Sequence, residues 1–120
     1  MSRIKVVQHK GKEIITMDFA GLRPGDEFRA GIEEARRLIA ARPAKAVRTL
    51  FDATGATYNA EMVGVLKEFT KHNEPYVRAS AVLGIEGVLS IALVAISRFS
   101  GRVFKTFKDR QAALDWLVEQ

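Results

Sequence analysis

AVRTLFDATGATYNAEMVGVLKEF, residues 46–69, decides the fold. Ala46 to Asp52 reads as a buried strand, because Val47, Leu50 and Phe51 supply apolar bulk and the turn-rich run Ala53 to Thr57 follows at once. Asn59 has the short acceptor side chain that caps a helix. Met62, Val65, Leu66 and Phe69 then recur at i, i+3, i+4 and i+7, the spacing of one helix face. A strand, a tight turn and an amphipathic helix in direct succession form the repeating unit of an α/β sheet.

Upstream, Arg3 to His9 and Glu13 to Phe19 are β-favouring runs separated by Lys10-Gly11-Lys12, which predicts an antiparallel hairpin. Phe28, Ile32, Ala35 and Ile39 predict a helix that Asp26 caps and Pro43 ends. Downstream, Asn73 and Pro75 stop the second helix, Val77 to Gly84 is the next strand, and Gly87 to Phe99 is a third helix closed by Ser100-Gly101. Val103 to Phe107 alternates as a strand, and Asp109 can cap a last helix with Ala113, Leu114, Leu117 and Val118 on one side. The order ββαβαβαβα predicts one α/β domain over residues 1–120: a mixed sheet with a parallel core and an antiparallel N-terminal hairpin. At 120 residues the chain holds one core and not two.

The third helix is unusual. Val88, Leu89, Ile91, Ala92, Leu93, Ala95, Ile96 and Phe99 fill an arc of roughly 200° at ~100° per residue, wider than a helix lying on a sheet needs. Something besides the parent sheet is therefore expected to cover it. Arg98, Arg102, Lys105, Lys108 and Arg110 lie close by in sequence, so the apolar surface is expected to carry a basic rim.

The net charge of +5 favours anionic partners in general, but the basic residues are scattered over several elements, as solubility alone would place them. A nucleic-acid site would need a denser basic stripe or exposed aromatic platforms, and Phe99, Phe104 and Phe107 read as core; nucleic acid is not the expected partner. The absence of cysteine excludes disulfides and thiolate chemistry, and no signal-peptide h-region opens the chain, so a cytoplasmic location is expected. The most membrane-like window, residues 79–96, contains Glu86 and two glycines and reads as strand, turn and helix rather than as a span. His9 and His72 have no metal or triad spacing, and the turn lacks the glycine pattern of a nucleotide loop. Adjacent residues in His72-Asn73-Glu74 point different ways, and Asp52 with Glu61 or Glu86 forms a carboxylate pair only if folding brings them together. No enzyme, cofactor or metal is expected.

Leu50 to Leu66, LFDATGATYNAEMVGVL, resembles the strand-loop-helix signature of STAS domains, the anti-sigma-factor-antagonist or SpoIIAA-like fold. Asp52, Thr54, Gly55 and Tyr58 stand at the Asp, Ser, Gly and Phe positions of its Asp-x-Ser-Gly-x-x-Phe turn. NEPYVRASAVLGI and ISRFSGRVFKTFKDRQAALDWL look like the bacterial SpoIIAA-like branch, often described together with lipid-binding CRAL-TRIO domains. In signalling STAS domains the following helix begins with Asp-Ser-Ser-Gly and a serine there is phosphorylated. Here that segment is Asn59-Ala60-Glu61-Met62-Val63, with no hydroxyl, so the usual phosphate switch at a helix N-terminus is missing.

Three non-enzymatic readings follow. The first is a homodimeric interaction module with Leu89, Leu93, Ile96 and Phe99 at the contact. The second is binding of a fatty acid, phospholipid or other anionic amphiphile, with Arg98, Arg102 and Lys105 as the rim. The third is a partner-switching regulator that binds a regulatory protein and uses Thr54 or Thr57 in place of the missing serine. Asp52, Thr54, Gly55, Thr57, Tyr58, Asn59 and Glu61 form a second candidate site at the strand-to-helix loop, where α/β sheets commonly bind ligands.

Overall fold

The computed structural model describes residues 2–120; the side chain of Val88, one member of the apolar arc, lies outside the described residues. Among the described residues nine elements occur in the expected order: β1 (Ile4–His9), β2 (Lys12–Asp18), α1 (Asp26–Ala40), β3 (Val47–Asp52), α2 (Ala60–Asn73), β4 (Val77–Leu83), α3 (Val88–Ser100), β5 (Lys105–Phe107) and α4 (Arg110–Val118). The sheet runs β1-β2-β3-β4-β5, antiparallel at β1–β2 and parallel thereafter. Positive φ at Lys10 (49°) and Gly11 (80°) gives the hairpin turn a twist that matches its strands.

Because the parallel strands advance in one direction and crossovers are right-handed, their helices fall on one side of the sheet. Accordingly α1, α2 and Ile96 of α3 share an apolar cluster with Ile15, Met17 and Phe19. α4 covers the opposite face, where Ala113 and Leu117 pack against Ile14, Leu50, Ala81 and Leu83.

Three details differ from expectation. Gly25, at φ 150°, is the N-cap of α1, so Asp26 begins the helix and meets Arg29 Nη1 at 3.2 Å; its carboxylate still faces the positive end of the helix dipole. Strand β5 is shorter than expected, since Arg102 and Phe104 turn in under α3 before pairing begins. Phe99 is not core: it is 44% exposed, with Lys71 Nζ 5.1 Å and Lys67 Nζ 5.9 Å from its ring centroid.

The hairpin is clamped to α4 by a cluster at Asp115. Its Oδ1 lies 2.8 Å from His9 Nε2 and 3.0 Å from Lys10 Nζ, and accepts from Gln111 Nε2 at 3.1 Å. Hydrogen bonds from His9 and then Lys10 pull the Asp115 carboxyl down to about 2. A depressed carboxyl stabilises the fold above its unfolded value near ~3.9, and that contribution disappears as pH falls through the folded value. Asp115→Asn should therefore flatten the pH dependence of the thermal midpoint between about pH 4 and 2. An unchanged slope in that window would remove the clamp from the acid response.

Candidate functional site

The loop after β3 is held mainly by local hydrogen bonds. The Asp52 carboxylate accepts from the Thr54 N–H at 3.0 Å, Asn59 Oδ1 accepts from the Met62 N–H at 2.8 Å, and the Thr57 N–H reaches the Leu22 carbonyl at 2.9 Å. Asn59 thus caps α2 as its sequence position implies. Gly55 turns the chain at φ 69°, and Thr54 and Thr57 are exposed. Glu61 is engaged by Arg29 across the α1–α2 seam. Tyr58 turns inward, edge-on to Phe28 at 6.3 Å, and burial pushes its phenol up to about 12.

A predominantly apolar concavity lies elsewhere, between α3, α2 and the sheet. α3 leans on α2 and reaches the apolar cluster through Ile96, which is 5% exposed. Beneath the half-buried Leu89 and Leu93 a cavity of about 60 Å³ remains, or about 680 Å³ when all non-atom space out to open solvent is counted. An apolar cavity of roughly 150 Å³ holds benzene, so the space as it stands admits only a few heavy atoms. A long acyl chain would have to extend out toward solvent. Leu66, Phe69, Val82, Ala92 and Phe104 make the lining predominantly apolar.

One end of the cavity is polar. Thr49 of β3 and Ser80 of β4 are register partners on the face beneath α3, both buried, with Thr49 Oγ1 donating to Ser80 Oγ at 2.9 Å. Arg102 arrives from the other side. The left-handed Gly101 (φ 70°) closes α3, Ser97 Oγ donates to the Arg102 carbonyl, and the half-buried guanidinium lies 4.8 Å from the Phe104 ring centroid. Its Nη1 donates to the Thr70 carbonyl at 3.2 Å and its Nη2 to Ser80 Oγ. Desolvation lowers Arg102 to about 10, with the nearby Glu74 charge acting weakly in the opposite sense. Among the described residues no carboxylate forms an ion pair with it.

The expected basic rim is therefore divided. Arg98 is exposed on α3, Arg102 is drawn under it, and Lys105 lies on the α4 side with Nζ 5.8 Å from the Phe107 centroid. Sequence reasoning missed Thr49 and Ser80. The only local signal was a hydroxyl in the middle of each of two strands, β3 and β4, and threonine suits a strand without any site.

No family model matches the chain, and no curated protein matches it. Among solved structures it is similar to an anti-sigma-factor antagonist (STAS) domain protein from Planctomyces limnophilus, with a TM-score of 0.60 and 18% identity over 98% of each chain. The fold is that of a STAS domain. In this STAS fold the β3–α2 loop and the cavity under α3 are adjacent but distinct. Tyr58 joins them, since it leaves the loop and lines the cavity. Among the described residues no helix is long and apolar enough to cross a membrane.

Proposed function

We propose that this chain is a non-enzymatic interaction module that pairs with a second copy through the outer face of α3. The observation that carries the reading is the exposure of Ile91 (73%) and Val94 (52%) on one face of that helix, in place of the expected Leu89, Leu93 and Ile96, which line the cavity beneath it. They continue a stripe of exposed positions, Gly87, Ile91, Val94 and Arg98, at spacings of four, three and four. Antiparallel packing about a two-fold axis sets Ile91 opposite the partner subunit's Val94. It also brings Arg98 beside the partner subunit's Glu86, itself exposed, so the stripe is self-complementary in both shape and charge. Val103, 87% exposed just beyond the helix, and Phe99 extend the apolar surface. Arg102, lowered to about 10, stays cationic at about pH 7 and Tyr58, raised to about 12, stays protonated, which supports binding over general acid–base chemistry.

Ile91→Asp places the change twice across such a contact and should weaken it by about 3 kcal/mol, on the order of 100-fold in dissociation constant. Sedimentation equilibrium should show a wild-type dimer and a folded Ile91→Asp monomer. A wild type that is monomeric at about 100 µM would refute the pairing.

A further inference from the structure

We propose that the cavity under α3 is a binding site for a monocarboxylate with an apolar tail, the carboxylate being held by Arg102 with the Thr49–Ser80 hydroxyl pair. This site is separate from the outer face of α3 and does not depend on dimerisation. The guanidinium sits at the end of a mostly apolar cavity, where its described side-chain and backbone partners are neutral: the Ser80 hydroxyl, the Thr70 carbonyl and the Phe104 ring. A half-desolvated cation whose partners are all neutral gains from a bound anion, and a planar guanidinium offers two parallel N–H donors that match a carboxylate.

The hydroxyl pair points the same way. Thr49 and Ser80 contribute two hydroxyl protons; their mutual bond uses one, and the other has no acceptor among the described residues. Both side chains are more than nine-tenths buried and line the cavity, so this spare donor can rotate toward whatever occupies it. One positive charge and neutral donors suit a singly charged head group better than a dianion. The apolar lining from Leu89, Leu93 and Ile96 suits a hydrocarbon or aromatic tail whose far end reaches the solvent-facing side of this half-open cavity.

The test is titration with octanoate and with 1-octanol, which share a tail and differ in the charged head, followed by methyl NMR and calorimetry. Wild type should bind octanoate about 10-fold more tightly than octanol. Shifts should be concentrated at Leu89, Leu93 and Ile96 and absent at Leu117 on the opposite face. In Arg102→Met, which keeps an apolar stem of similar length, the preference for octanoate should vanish while octanol affinity stays the same. Ser80→Ala should weaken octanoate about 3-fold, and it serves if Arg102→Met does not fold. Equal affinity for the two probes in wild type, no binding of either, or perturbation away from α3 would each overturn the assignment. None of these results bears on the oligomeric state, so failure here and failure of α3 pairing remain separable.

Discussion

Gly84→Ala should lower stability by about 4 kcal/mol and the thermal midpoint by roughly 15 °C. Gly84 closes β4 at φ 77°, and a Cβ there would lie 2.5 Å from Thr54 Cα, N and Oγ1. Two costs add: about 1–2 kcal/mol for forcing an L side chain into the left-handed region, and 1–3 kcal/mol for overlap with atoms that are mostly backbone. Thr54 has little room to yield, since its N–H is tied to Asp52 and its carbonyl accepts from the Gly21 N–H at 2.8 Å. Gly11→Ala is the control. Its φ is 80°, but no atom lies within 4 Å of the added carbon, so it should show the backbone cost alone. Calorimetric midpoints that fall equally in the two variants would show that the approach of β4 to the β3–α2 loop is not tight. The consequence reaches α3, because Gly84 directly follows β4 and opens the short segment that leads into that helix.

Phe19→Ala should cost about 3–5 kcal/mol by denaturant unfolding, because the ring is fully buried at the centre of the three-helix face. Its centroid lies 5.6 Å from that of Phe28, edge-on, and 4.8 Å from that of Phe51. Gly31 of α1 is part of the same arrangement. A Cβ at that position would come within 2.8 Å of Phe19 Cζ, so helix propensity has been given up to let α1 approach the ring. In wild type Gly31→Ala should therefore destabilise, whereas in a Phe19→Ala background the same change should stabilise by up to about 1 kcal/mol. A change of the same sign in both backgrounds would mean that the ring does not set the helix spacing.

The strand-loop-helix of residues 46–69 was legible because each of its signals is local: apolar bulk, a turn run, a capping Asn59 and a helical period. The same holds for the surplus of apolar surface on α3, which the structure realises as exposed Ile91 alongside a helix that only partly meets the sheet. Which side chains face outward was less legible. Ile96 and Phe99 are separated by less than one turn, yet one is core and the other lies under lysines of α2, since the position of α2 decides where the buried arc ends. Asp26 was one residue from its expected role because Gly25 can adopt a φ that moves the helix start back.

Local periodicity determined the element order and the direction of the sheet, because right-handed crossovers leave few ways to assemble alternating strands and helices. Tertiary structure alone placed Arg102 inside rather than on a basic surface, and set Thr49 beside Ser80. Those contacts join residues 31 and 22 positions apart, through strand register and the return of the chain after Gly101. A hydrophobic pattern records which face of an element avoids water, but it carries no record of which distant polar group shares that face.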